Sequence, residues 1–413
     1  MKLKSTLAAA ALAAAALSSG ADAQQQQPAP VRMEVAFKVA LNSIATGHPE
    51  QAVRILRKML AVDPGLVRVR LELARALYEA GEYTQAQEQF RIVLSSGELP
   101  APVRANVLRF LRAIDEERGL RTSFSIGLEA PQGAGRSYDT DDIDVDFGAG
   151  PLKFKMDRED PPLTGLALAG SFRKQWPLKT FESGVNLTGY VRGSAELYET
   201  TGTVYDKETA EVATGLQFTW PRTTTFVEAT AGTTYRDKEM SEEYIGVGSG
   251  LSWRTQAGLT TAIEVDFQDV SLGRYPDVDA QRTNASVTVV KPLRGRDQVA
   301  VKLSYQRQNA DRADLAYDYA ELRVGRRTEI GGGFLLEPSV FAEGFWQEEA
   351  TPGLAEPRTE HEFGVDLRLD KTDTFIFGRF TPYVEVGLSK RTSSIEAYSY
   401  RDTHISAGLT SAF

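Results

Sequence analysis

The sequence predicts an α + β chain of two parts, a short helical tetratricopeptide-repeat domain followed by an antiparallel transmembrane β-barrel of about 14 strands. Three observations predict it. Ala, Leu, Arg and Glu dominate residues 31–119, while Gly is scarce. Four positions in that segment recur 34 residues later. From Ser123 onward the apolar period switches from 3.6 to 2, in segments of about ten residues separated by turn residues.

The first residues read as an export signal. Lys2 and Lys4 supply positive charge, LAAAALAAAAL (7–17) a short apolar core, and Ala21-Asp22-Ala23 a small-residue cleavage site. Residues 1–23 are therefore expected to be removed. Residues 24–30, a Gln run with Pro28 and Pro30, form a flexible linker.

The helical segment is built on a repeat. Gly47, Ala52, Leu56 and Met59 return as Gly81, Ala86, Phe90 and Val93. Each glycine falls where the first helix of a pair ends, a place that suits a left-handed residue. Each alanine falls where two helices cross closely, and Asp63-Pro64 stops the second helix of the first pair. A last helix near 101–117 caps the open end, because a terminal repeat has no further neighbour to cover it.

Beyond residue 120 the alternation is regular. In QVAVKLSYQRQ (298–308), Val299, Val301, Leu303 and Tyr305 alternate with Ala300, Lys302, Ser304 and Gln306. Phe363, Val365, Leu367 and Leu369 alternate likewise with Gly364, Asp366, Arg368 and Asp370. Tight connections are expected at Trp176-Pro177-Leu178, Trp220-Pro221-Arg222 and Lys291-Pro292-Leu293. Longer polar connections lie between them, the longest at 131–163, where a hairpin within 141–157 would raise the strand count to sixteen.

The polar face carries Glu264, Asp266, Lys302, Glu321, Arg323, Asp366, Arg368 and Glu385. A shared dry core would not accept so many charges, so the polar face lines a wet lumen and the apolar face meets lipid. Trp176, Trp220, Trp253 and Trp346 fall at strand ends and read as an interfacial girdle. The final strand, HISAGLTSAF, places Ile405, Ala407, Leu409 and the terminal Phe413 on one face, with Gly408 between. It resembles the C-terminal signal by which outer-membrane barrels are handed to their insertion machinery; Ser411 is a polar lapse on that face.

Several chemistries find no support. The chain has no Cys, hence no disulfide framework and no thiolate. His48, His361 and His404 are far apart, and no nucleophile motif accompanies them. Gly246-Val-Gly-Ser-Gly lies within a strand and lacks the Lys and helix of a phosphate-binding loop. Residues 31–120 carry 13 basic and 11 acidic side chains, and 121–413 carry 32 and 44, so no basic patch suggests nucleic acid. The acidic run YDTDDIDVD (138–146) reads as a solvated outer loop, with Ca²⁺ binding as the sharper alternative. No enzyme activity, cofactor or metal is expected.

The second repeat and cap, VRLELARALYEAGEYTQAQEQFRIVLSSGELPAPVRANVLRFLRAI (69–114), are followed by GAGPLKF (148–154) and TGLALAGSFRKQWPL (164–178). With these segments the chain resembles the surface lipoprotein assembly modulator (Slam) family. The resemblance implies an outer-membrane factor that delivers client proteins, typically lipoproteins, to the cell surface. Its repeats in the periplasm would bind the client, and its barrel would give the path. Its other partners would be the insertion machinery and outer-membrane lipids. The alternative is a porin or polysaccharide-export pore whose repeats recruit a periplasmic partner.

Overall fold

The computed structural model describes residues 29–95, 99–129, 135–156, 158, 164–200, 206–293, 297–374, 376 and 380–411. The export signal, residues 24–28 of the linker, and Phe413 lie outside them. The chain divides into two compact units between Ile114 and Asp115.

The first unit is helical: α1 Ala29–Ala45, α2 Pro49–Val62, α3 Val67–Glu79, α4 Tyr83–Ser95 and α5 Ala101–Arg118. α1–α2 and α3–α4 are the two repeats, and α5 is the cap. Gly47 and Gly81 sit at the first turn of each pair with φ of +77° and +76°, where a Cβ would be strained. Pro49 opens α2 at a position whose N–H has no helical partner. α2 stops at Val62 because Pro64 cannot continue it; the Asp63 N–H bonds back to Met59 O at 3.0 Å. The apolar stripes meet in one core. Ala52, Leu56, Ala74, Ala76, Ala86, Phe90 and Val93 have no exposed surface. The Phe90 ring stacks on Phe110 of α5 at 5.1 Å. Burying side chains of this size contributes about 1.5–3 kcal/mol each.

The second unit is a closed antiparallel barrel. Its wall strands are β1 Leu120–Glu129, β5 Gly165–Thr180, β6 Asn186–Glu199, β7 Lys207–Thr219, β8 Thr223–Arg236, β9 Glu239–Arg254, β10 Thr260–Leu272, β11 Asp279–Pro292, β12 Gln298–Ala310, β13 Tyr317–Gly331, β14 Phe334–Gln347, β15 Thr359–Lys371, β16 Thr381–Ser393 and β17 Tyr400–Thr410. Each pairs with its sequence neighbour, and β1 pairs with β17 to close the ring of 14. The hairpin in the long first connection exists, as β3 Asp142–Asp146 and β4 Pro151–Lys155, but it forms a separate sheet outside the wall. The short β2, Ser137–Tyr138, joins the edge of β17.

One expected turn is not a turn. β5 runs through Trp176-Pro177-Leu178 to Thr180, and the ladder shifts register between Pro177 and Lys179. A bulge tolerates a residue without an N–H, so Pro177 bends the strand and does not end it. The tight turn follows at 181–185, closed by Phe181 N–H to Val185 O at 2.9 Å and by Gly184 at φ +79°.

The faces divide as the alternation requires. Ile245, Phe363 and Ile405 are 66%, 66% and 55% exposed on the outside of the wall. The charged residues between them point inward. Both ends of the barrel, Leu120 beside Lys174 and Thr410 beside Thr381, emerge on the side of the tight turns. No described helix is long and apolar enough to cross a membrane.

Candidate functional site

Two features of the barrel stand apart from a plain wall: a lumen face laced with ion pairs between neighbouring strands, and the seam where the ring closes. In the lumen, the inward positions of β6, β7, β8 and β9 bring Tyr190, Arg192, Glu211, Glu228 and Tyr244 together. Arg192 donates to Glu228 through Nε (3.1 Å) and Nη2 (2.7 Å), and through Nη1 to Glu211. The buried Tyr190 hydroxyl donates to the same Glu228 at 2.7 Å. Arg173 lies 3.8 Å over the Tyr190 ring. The Tyr190 and Tyr244 rings lie against Gly215 and Gly232 of adjacent strands, where a Cβ would collide with them.

A second network spans β13, β15, β16 and β17. Arg323 pairs with Glu321 (2.7 Å) and Asp366 (2.6 Å), and Arg368 with Asp370 (3.0 Å) and Glu385 (3.4 Å). Arg391 pairs with Glu360 (2.9 Å) and Glu362 (2.7 Å), and Glu362 also accepts from the Tyr400 hydroxyl at 3.1 Å. His404 faces the lumen with Nε2 3.7 Å from Asp366, its ring over Gly387. Arg192, Arg323, Arg368 and Arg391 thus each meet at least two carboxylates. Such paired charges keep a lumen hydrated while fixing its wall strands.

Among the described residues the seam carries the fewest register pairs of any wall interface. Among the described residues β1 and β17 share five register pairs, Ser125↔Thr410 to Glu129↔Ser406. The ladder resumes with β2 at Ser137↔Arg401 and Tyr138↔Tyr400, in a register displaced by three residues. Every other wall interface has ten to fourteen pairs. At the centre of the five, Gly127 opposes Gly408, and Tyr383 covers both. A Cβ at Gly127 would lie 2.8 Å from the Tyr383 hydroxyl.

Ser411, the polar lapse in the sequence pattern, ties the seam at its lower end. Its N–H donates to Phe124 O, and its hydroxyl accepts from Phe124 N–H, both at 2.8 Å. At the loop end, Arg158 donates to Ala397 O at 2.6 Å, stacks 3.3 Å over Tyr138 and pairs with Asp141 at 3.1 Å. Arg136 covers the Tyr400 ring at 4.2 Å and approaches Asp402 at 3.6 Å. Sequence reasoning passed over Arg136 and Arg158, since nothing in their spacing indicates tyrosines 264 and 20 residues away.

The remaining marked residues fall as follows. Ala52, Leu56, Ala86 and Phe90 are core residues of the repeats, Gly47 and Gly81 form their turns, and Pro64 follows α2. Ile405 and Leu409 lie on the lipid side of β17, and Gly408 lies inward between them; Phe413, their partner in the insertion signal, is outside the described residues. His48 precedes α2 without a side-chain cap, and His361 lies outward against Trp346. Asp142, Asp144 and Asp146 share the charged face of the β3–β4 hairpin with Lys153 and Lys155.

A helical repeat unit and a fourteen-strand barrel with a greasy outside and an ion-paired inside define an outer-membrane protein with a protein-binding type of module. The surface lipoprotein assembly modifier family model matches residues 140–413, and a tetratricopeptide-repeat model matches residues 43–97. The chain belongs to the surface lipoprotein assembly modifier family. No curated protein matches it.

Among solved structures it is similar in shape to a loop-deletion mutant of OmpT, an outer-membrane protein of Vibrio cholerae (10% identity, 71% of this chain and 99% of that one, TM-score 0.34). Others are OccK10 (OpdN) of Pseudomonas aeruginosa (8%, 71% and 99%, 0.35) and the siderophore receptor PirA of the same organism (10%, 71% and 80%, 0.30).

Proposed function

We propose that the protein delivers client proteins, in the first instance surface lipoproteins, across the outer membrane. The helical unit captures the client in the periplasm, and the barrel provides the path, opening at the β1–β17 seam. Family membership over residues 140–413 is the observation that carries this reading. The barrel's ends support a periplasmic helical unit: both lie on the tight-turn side, and short turns of such barrels face the periplasm. Val35 and Val39, one turn apart on α1 and 51% and 44% exposed, are available to an apolar client segment. No nucleotide motif is present, so folding of the client outside would give transport its direction. The work is binding and conformational, and we assign it no enzymatic step.

Removal of residues 31–119 tests the assignment. The truncated barrel should still insert and resist extraction, while client display is lost; undiminished display would reject it. A second reading, a pore, is favoured by the charge-lined inner face of the barrel. Single-channel recording separates the two, because a steady open conductance marks a pore and a closed or flickering one a gated translocator.

A further inference from the structure

Lys390 of β16 and Arg401 of β17 are directly opposed in the ladder. Both point outward, Lys390 following Val384, Val386 and Leu388 on that face, and Arg401 lying four residues above Ile405 on the same face. Both are exposed, and among the described residues neither has an ion-pair partner. Like charges directly opposite on a sheet destabilise it. The contrast with Arg307 is instructive: that outward arginine near the loop end of β12 is matched by Asp318 at 2.7 Å and by Glu348.

Their height on the wall is informative. From Pro382 to Lys390 is eight residue steps, which at about 3.3 Å each and a tilt of about 40° rise about 20 Å. From Thr410 to Arg401 is nine steps, or about 23 Å by the same rule. The apolar band of such barrels is about 25 Å tall. The two cations therefore stand where hydrocarbon gives way to headgroups. Trp346 and His361, with ring centroids 5.9 Å apart on neighbouring strands, mark the same rim. Phe363 stands beside Lys390 in the ladder, and the exposed Leu388 and Ile405 lie below the pair.

We propose that Lys390 and Arg401 together bind the phosphate of an anionic lipid in the loop-side leaflet, its acyl chain lying along Phe363, Leu388 and Ile405. The bound phosphate neutralises a pair of charges that otherwise repel. The apolar wall beneath favours a lipid over a soluble anion.

The test uses the full chain in neutral detergent, titrated separately with dioleoylphosphatidylglycerol, dioleoylphosphatidylcholine and inorganic phosphate, and read by native mass spectrometry and thermal unfolding. Phosphatidylglycerol should bind the native protein about thirty-fold more tightly than it binds K390Q/R401Q, the ratio corresponding to about 1 kcal/mol for each interfacial cation. Without lipid, K390Q/R401Q should unfold at a higher temperature than the native protein, since the repulsion is gone; with phosphatidylglycerol the order should reverse. The swap K390R/R401K should behave as native. Equal binding of phosphatidylglycerol by the native protein and K390Q/R401Q overturns the proposal. So does equal binding of the two lipids, or stabilisation by inorganic phosphate alone as large as that by phosphatidylglycerol.

Discussion

Locking the β1–β17 seam should stop client export. Seven register pairs hold this interface among the described residues, against ten to fourteen elsewhere. A backbone hydrogen bond contributes about 1 kcal/mol net; with the two Ser411–Phe124 bonds counted in, the shortfall of about one to five bonds makes this seam about 1–5 kcal/mol easier to part than the others among the described residues. At about 1.4 kcal/mol per tenfold, that favours opening here by roughly five-fold to a few thousand-fold. Leu128 and Ala407 are directly opposed on the lipid side. Opposed residues have Cα atoms about 4.5–5.5 Å apart, which a disulfide spans. The chain has no native Cys, so L128C/A407C introduces a single bridge. Display of the client on intact cells, read by labelled antibody, should fall to background when the bridge is oxidised and return on reduction. The same bridge between β11 and β12, V287C/L303C, should leave display unchanged. Full display with the oxidised seam would refute the reasoning and move the path to the closed lumen.

Other outcomes follow from the same geometry. Leu56→Ala, at a fully buried position, should cost the helical unit about 2–5 kcal/mol while leaving heat-resistant migration of the barrel unchanged. V35D/V39D should weaken capture of client in a pull-down with little change in unfolding temperature, since both sites are exposed. Glu228→Ala leaves Arg192 and Tyr190 short of their shared acceptor and should destabilise the barrel to urea by about 3–5 kcal/mol, with Glu228→Gln recovering part of the loss.

Much of this architecture was legible because it rests on local periodicity. The alternation through Phe363, Val365 and Leu367 needs no knowledge of neighbours, and each of the fourteen expected segments overlaps one wall strand. The 34-residue spacing of Gly47 and Gly81 likewise reports a backbone need, a positive φ. Partnerships between strands on the lumen face were not legible. Arg192 reaches Glu228 over the intervening β7, and that choice depends on the stagger of three strands. Pro177 was misplaced because a missing N–H signals a turn and a bulge equally well. The β3–β4 hairpin alternates as a wall strand does, but at five residues each its strands are too short to span the wall. The tie made by Ser411 depends on its backbone meeting Phe124 across the closed ring, which no local pattern encodes.

Single spin labels placed one at a time from 363 to 368 on β15, in the full chain reconstituted into phospholipid, test the solvent assignment most directly. Labels at 363, 365 and 367 should collide freely with molecular oxygen and little with a water-soluble nickel chelate, and labels at 364, 366 and 368 should show the reverse. Uniformly low collision with both reagents along the strand would mean that the apolar side chains pack against protein, and the wall described here would not face a membrane.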